Sequence, residues 1–264
     1  MNKLFKKKPE DVKANFVRFK TGIPSLDDKI KWLYCGQYIC IAAKPGAGKT
    51  TLGGQIAENI PNSLFMSYEM LAEEFHDILL SRKTNIDSEK LEDDTLDTFE
   101  RHKIETARRE LAEECTLLIN DVPLKASDMF AFIKVQVKRR GVKCVVIDYA
   151  QIIPGLPGKG NQTEKYEWLS RKFKLLAREL NIVVIVLSQL TKDSVRDGRA
   201  PDLSDLRGSL SFGSDADKVI FLYDIPDEEG VGSGEPQMSL GKNRKGKIGK
   251  VKDFFYNKAT HYMR

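Results

Sequence analysis

Residues Ala43 to Thr51, AKPGAGKTT, constrain what this chain can fold into more than any other stretch. A short apolar run, Tyr38 to Ala42, enters a turn rich in Gly and Pro, and an amphipathic pattern from Thr51 to Ile60 leaves it. Strand, tight turn and helix in that order make a phosphate cradle. Gly46 and Gly48 let backbone N–H groups converge on one point, the helix adds the positive end of its dipole, and Lys49 supplies a cation for the β and γ phosphates. Ala43, Pro45, Gly46, Ala47, Gly48, Lys49, Thr50 and Thr51 are thus the candidate nucleotide-binding residues, with Thr50 also a ligand for Mg²⁺. The pattern GxxxxGK[ST] is met except at its first position, where Ala43 replaces Gly.

The remaining chain offers room for one α/β domain, since 264 residues would be cramped as two. The expected division is a basic N-terminal tail or docking segment over 1–18 and one nucleotide-binding domain over 19–264. A formal charge of +5 excludes a wholly basic nucleic-acid coat, so contacts with a polyanion must be local. Two basic patches exist: Lys3 to Lys8, with four lysines, reads as a solvated tail, and Lys242 to Lys252 carries six Lys or Arg. The four cysteines, Cys35, Cys40, Cys115 and Cys144, form no CxxC pair and have no His at ligand spacing, which points to reduced thiols, no structural zinc and a cytoplasmic setting. The longest apolar run, Ile182 to Leu187, is too short to span a bilayer, and no apolar segment of signal-peptide type follows the basic N-terminus, so no membrane role is expected.

Strand-like and helix-like patterns then alternate. Ser25 reads as an N-cap for a short helix. Ser63 to Glu69, SLFMSYE, is β-prone and ends in a carboxylate, at the strand end where open α/β sheets bind ligands. Asp97 to Glu114 reads as an exposed helix with i,i+4 charge pairs. Cys115 to Asn120 is a strand, and Ser127 to Arg140 a helix whose Met129, Phe130, Ile133 and Val137 recur at core spacing. Lys143 to Ile153, KCVVIDYAQII, gives a buried strand ending in Asp148, suited to holding Mg²⁺ through water about a hundred residues after the cradle. Pro154 to Gln162 is a loop, and Thr163 opens an amphipathic helix with Trp168 off its apolar stripe. Asn181 to Leu190 is a buried strand ending in Ser188 and Gln189; an amide there can hydrogen-bond a γ phosphate or its attacking water. The polar segment Thr191 to Ser214 suits a moving ligand loop. Asp217 to Tyr223 is another strand, and Pro236 to Met263 looks antiparallel about KGKIG.

Taken in order, these stretches resemble the RecA-type motor domain of the DnaB-type replicative helicases, from about Phe19 onward. That family has Ala where the common cradle begins with Gly, which accounts for Ala43. Its catalytic glutamate lies in a motif like SLEM, matched by SYEM with Glu69, and its metal-site strand reads like IDYLQLI, matched by IDYAQII with Asp148. LARELN (176–181), SQL (188–190), SDLR (204–207), SDADKVIFLY (214–223) and KNRKGKIG (242–249) continue the match. Departures are RGSL where RESG is common, and DKIKWLYCG where a Gly-Gly turn is usual.

The resemblance implies a RecA-like P-loop NTPase core: a mostly parallel central sheet flanked by helices, with a C-terminal antiparallel hairpin. It implies ATP and Mg²⁺, with Glu69 polarising the attacking water and Gln189 coupling the γ phosphate to DNA-facing loops. Lys242 and Arg244 match the basic pair that reaches into a neighbouring subunit's ATP site. Arg207 matches a DNA-contacting arginine, Gly208 and Leu210 match backbone contacts, and Lys159 adds a charge toward the strand. The partners implied are single-stranded DNA, copies of the same chain in a ring, usually a hexamer, and a helicase loader. The family's N-terminal helical domain has no room here, so the sequence is expected to be the motor region alone or a compact phage- or plasmid-like version, and primase contact is not carried over. The helicase reading, 5′ to 3′ by resemblance, stands beside two others: a recombination ATPase resembling RadA or RecA, and a weakly hydrolysing single-strand-binding partner of a full helicase. KNRKG and SYEM favour the helicase.

Overall fold

The computed structural model describes residues 17–157, 160–190, 199–206, 210–224 and 234–264. Strand β1 (Arg18–Phe19) pairs antiparallel with β2 (Leu33–Tyr34) around helix α1 (Pro24–Ile30). The body therefore takes in Arg18, which the sequence reading left to the tail. Ser25 does not cap α1. Pro24 occupies its first turn, and Asp27 reaches back to accept from the backbone and hydroxyl of Thr21, at 2.8 and 2.9 Å. Trp32 lies beneath two cations, with Arg18 4.2 Å and Lys20 4.6 Å from its ring centre.

The chain then enters β3 (Tyr38–Ala43) and α2 (Lys49–Asn59), followed by β4 (Ser63–Ser67), α3 (Ala72–Thr84), α4 (Ser88–Glu92) and α5 (Thr98–Glu114). After β5 (Leu118–Asn120) come α6 (Ala126–Arg140), β6 (Cys144–Asp148), α7 (Gln162–Leu180) and β7 (Val183–Gln189). Helix α8 (Leu210–Asp215) leads to β8 (Lys218–Asp224), β9 (Pro236–Asn243), β10 (Gly249–Lys250) and the pair β11 (Tyr256–Asn257) and β12 (Tyr262–Met263).

One eight-stranded sheet runs in the order β10-β9-β8-β3-β7-β6-β4-β5. Its six inner and far strands are parallel, while β9 and β10 are antiparallel additions at one edge. The parallel strands read as continuous apolar runs because both faces are covered. Alternation shares each strand between two cores. Ile39 and Ile41 of β3, with Ile185 and Leu187 of β7, meet Leu52, Ile56, Phe75 and Leu79 on one face. Tyr38, Cys40, Val184 and Val186 meet Met129, Ile133, Phe173 and Phe212 on the other. Phe130 and Val137 pack at the margin of that second core, and Trp168 stands edge-on to Phe130 at 6.1 Å between ring centres.

Several boundaries move from those read in the sequence. The strand expected over 115–120 contracts to β5, and α7 begins at Gln162, capped by Asn161, whose side chain accepts from the Glu164 N–H at 3.0 Å. The charges of α5 look outward from it more than along it. Asp97 and Glu100 form a capping box, Glu100 binds Lys90, Arg101 binds Asp94, and Lys83 of α3 reaches Glu110. Among the described residues the ion pair within α5 is Arg108–Glu105, at i,i+3 spacing rather than i,i+4. The stretch expected as a loop over 191–214 includes a 3₁₀ turn at Leu203–Asp205 and the start of α8 where it is described.

Candidate nucleotide site

The site is built at the C-terminal ends of β3, β4, β6 and β7. Between Ala43 and Lys49, Gly46 and Gly48 take positive φ of 75° and 93°, a backbone that side chains adopt only under strain. A Cβ at Gly48 would lie 2.7 Å from the Tyr256 ring, so bulk is excluded there as well. Ala43 is buried and lies in register beside Gln189, which fixes where the turn leaves the sheet.

Helix α2 begins at Lys49, two residues earlier than expected, and this brings Lys49, Thr50 and Thr51 into its first turn. The Lys49 ammonium sits 2.9 Å from Glu69 Oε2 and 3.9 Å from Asp148 Oδ1, with the Tyr149 ring centre at 4.9 Å. Thr50 Oγ1 donates to Asp148 Oδ2 at 2.5 Å. Strand β4 stops at Ser67, so Glu69 stands in the turn beyond it rather than on the strand. That turn is pinned: the Tyr68 N–H donates to Asp148 O at 2.7 Å, the Met70 N–H donates to Ser67 Oγ at 3.2 Å, and the Tyr68 hydroxyl donates to Leu124 O at 3.1 Å.

Asp148 is fully buried, and burial raises its pKa above the usual carboxylate value, against the pull of Lys49 and the Thr50 hydrogen bond. Its Oδ1 has no hydrogen-bond partner. A buried oxygen left in this way, beside a threonine hydroxyl, is the donor chemistry of a hard cation, so Thr50 and Asp148 fit Mg²⁺. Gln189 ends β7 in register beside Ala43 of β3, at the same edge of the sheet. Its backbone is clamped by Gln151, which also donates to Ser188 Oγ at 2.8 Å.

The sequence reading missed the second wall of this cleft. Strands β11 and β12 fold back over α2, bringing Tyr256 Oη within 3.3 Å and His261 Nδ1 within 3.4 Å of Thr51 Oγ1. Tyr256 and His261 line the cleft with Gly46, Gly48, Lys49 and Glu69. Gln55 and Met263 exchange two hydrogen bonds, at 2.6 and 2.9 Å, and Arg82 Nε donates to His261 O at 2.8 Å. A tyrosine and a histidine after the last basic patch were the available signal, but nothing local ties them to a residue two hundred positions earlier.

Lys242 and Arg244 lie elsewhere. Strand β9 runs antiparallel to β8, with Asn243 opposite Lys218, so its end meets the N-terminal edge of the sheet. The Arg244 N–H donates to Asp217 O at 3.0 Å, and Asp217 in turn pairs with the backbone of Tyr38. Arg244 therefore stands at the start of the strand whose far end carries the cradle. At about 3.3 Å per residue, β3 alone separates the two by roughly 16 Å. Lys242 Nζ is turned to the carbonyl oxygens of Gly213 and Ser214, at 3.0 and 2.5 Å. Leu210 is exposed at the start of α8. Arg207, Gly208 and Lys159 lie outside the described residues.

A family model described as the DnaB-like helicase C-terminal domain matches residues 19–264. The chain belongs to that family. A probable plasmid replicative DNA helicase of Chlamydia trachomatis serovar L2 is 32% identical over 245 residues, which is 90% of this chain and 53% of that protein. The replicative DNA helicase DnaB of Geobacillus stearothermophilus is 32% identical over 257 residues, 92% of this chain and 56% of the relative. The chain thus spans a little over half the length of the curated relatives it matches. Among solved structures, one described as an ATPase domain superposes with a TM-score of 0.85 at 27% identity, covering 96% of this chain and 94% of that one. A DnaB-like replicative helicase, whose structure was described with its interactions with primase, gives a TM-score of 0.85 at 26% identity, covering 98% and 64%. The RecA-like ATPase fold of the DnaB-like family is the fold described above, with its C-terminal antiparallel strands. Among the described residues no helix is long and apolar enough to cross a membrane.

Proposed function

We propose that this chain is the motor of a replicative DNA helicase, which hydrolyses ATP at interfaces between copies in a ring and translocates 5′ to 3′ on single-stranded DNA. Residues 19–264 are the ATPase domain in this reading. The observation that carries it is the placement of Arg244 at the opposite end of β3 from Lys49, Glu69 and Asp148 in a family of replicative helicases. An arginine that cannot reach its own cradle is available to the cradle of the next copy.

Lys49 and the amides of the Gly46–Thr51 turn hold the phosphates, and Thr51 closes the turn. Thr50 and Asp148 would hold Mg²⁺, whose charge would offset that of the phosphate oxygens. Glu69 orients a water for in-line attack on the γ phosphorus and takes its proton as the bond to the β-phosphate oxygen breaks. Gln189 senses the γ phosphate. Arg244 from the neighbouring copy, with Lys242, offsets the negative charge that builds in the transition state. Arg207, the backbone at Gly208 and Leu210, and Lys159 contact DNA phosphates, a mode that reads no bases and weakens with salt. A helicase loader is the further partner.

The test is steady-state ATPase activity across protein concentration, with and without single-stranded DNA, alongside particle mass. Turnover that climbs steeply with concentration and DNA, from a closed ring of about six copies, is the expected result. Turnover independent of both, from a monomer, would sink the proposal. Forked substrates with one 5′ or one 3′ tail decide direction.

A further inference from the structure

Asp217 is mostly buried at the junction of α8 and β8, and its two carboxylate oxygens divide their work. Oδ2 accepts from the Tyr38 N–H at 2.9 Å and from Lys174 Nζ. Oδ1 faces the Arg244 guanidinium at 3.6 Å. The backbone repeats the link, because the Arg244 N–H donates to Asp217 O and the Asp217 N–H donates to Tyr38 O, at 3.0 and 2.7 Å. Arg244 thus has a fixed main chain, while its side chain is 53% exposed beside a carboxylate only 9% exposed. At 3.6 Å and with that exposure the charge contact orients the guanidinium but does not bury it. A close, dry pair would have held it against release.

We propose that Asp217 is a positioning residue for Arg244: it presents the guanidinium outward for the neighbouring copy's nucleotide site, and the loose contact yields when the phosphate draws the arginine across. This rests on the trans role of Arg244 given above. Lys174 shares the carboxylate's charge and keeps the Asp217–Arg244 pair weak enough to open. A carboxylate serving only the fold would need the Tyr38 and Lys174 contacts and nothing on its second oxygen.

Mixed rings separate a role in the neighbour's site from a role in the chain's own. An E69Q copy contributes an arginine but no hydrolysis of its own; an R244A copy contributes a working cradle but no arginine. A mixture of the two, with single-stranded DNA present, should hydrolyse ATP only where an R244A cradle meets an E69Q neighbour. Adding Asp217→Asn, which keeps an oxygen acceptor and removes the charge, to the E69Q copy should lower turnover about tenfold or more, as expected for a misplaced group, with KM for ATP unchanged. The same substitution in the R244A copy should leave turnover where it was, since the arginine it serves is gone. Equal losses from both placements, or a loss only in the R244A copy, would overturn the proposal and make Asp217 a staple of its own β3.

Silence from the E69Q and R244A mixture itself, with rings intact by mass, would instead overturn the trans role of Arg244, and the proposal with it. If Asp217→Asn does not assemble, Lys174→Gln takes away the cation that competes with Arg244 for the carboxylate, tightens the Asp217–Arg244 pair, and should lower turnover when placed in the E69Q copy only. No change, or a change from either copy alike, would count against the proposal.

Discussion

The two ends of β3 are built on opposite principles. At its C-terminal end the charges are drawn inward: Lys49 is buried between two carboxylates, Asp148 is fully enclosed, and Thr50 is bonded to it. At its N-terminal end the buried carboxylate of Asp217 faces an arginine that stays half in solvent, and Lys242 is tied to the end of α8. The first end is a receptor with fixed geometry, while the second is a projection with a fixed root and a loosely held tip. A site divided between copies needs one of each, because a receptor must exclude water and a projecting group must cross an interface. Both are anchored on the same six-residue strand, so in the proposed ring the receptor of one copy and the arm it would extend to the next share a rigid link.

Substitutions at the two ends should therefore fail in different ways. The largest effect expected is from Arg244→Ala, which should cut turnover by on the order of a thousandfold or more while nucleotide affinity stays near that of the parent. Weakened binding with normal turnover would place Arg244 outside the reaction. Lys49→Ala should lose affinity and turnover together. Next is Glu69→Gln, where loss of the base should slow turnover by on the order of a hundredfold to ten-thousandfold and leave ATP bound and intact, as read by single-turnover product release. Normal turnover would reduce Glu69 to a partner for Lys49.

Much of the receptor end was legible in the sequence alone. Gly46, Gly48, Lys49 and Thr50 are neighbours in sequence, and a strand-turn-helix has few ways to arrange them. Asp148 could be placed because it ends a parallel strand, and Glu69 because the turn just beyond the neighbouring parallel strand opens at the same edge of the sheet. The projecting end was legible only by resemblance. KNRKG is an ordinary basic hairpin until β9 is known to run against β8, which sends Lys242 and Arg244 away from the cradle. The cover formed by Tyr256 and His261 was not legible at all, since its bonds to Thr51 join residues more than two hundred positions apart. Along α5 the spacing did suggest internal ion pairs, but Glu100, Arg101 and Glu110 found partners outside the helix, where tertiary neighbours compete with helical ones.

The projecting end should also respond to pH through Lys218, which is buried beside Asp217 and donates to Gln37 Oε1 at 2.8 Å. Burial lowers its pKa from 10.5 to about 8, with Asp217 opposing and Lys245 assisting. An unfolded lysine keeps its proton up to about 10.5, so between about 8 and 10.5 the unfolded state binds the extra proton and this residue's contribution to stability rises with pH. Below about 8 both states are protonated and the full unfavourable term is present, on the order of 3 kcal/mol for that span. Lys218→Met should therefore be the more stable protein at pH 7, less about 1 kcal/mol for the lost hydrogen bond. That advantage should shrink as pH rises from 8 to 10, measured by urea unfolding at each pH. A gap between the two proteins that does not move with pH would show the ammonium to be fully compensated where it sits.

The smallest expected effect concerns the cover of the receptor. Gln55 is buried on α2 and holds both the N–H and the C=O of Met263, which makes it the clamp between the cradle helix and the β11–β12 pair. Gln55→Ala leaves those two backbone groups without partners, and the change should lower stability by about 1–3 kcal/mol. The loss should not stay local, because the same pair of strands presents Tyr256 and His261 to Thr51. Loosening it should weaken nucleotide binding while leaving turnover at saturating ATP nearly unchanged, since Lys49, Glu69 and Asp148 are pinned from the sheet side. A fall in saturated turnover with unchanged affinity would mean that the cover acts on the reacting end of the nucleotide. The division drawn here, between a receptor fixed by the sheet and a lid fixed by α2, would then fail.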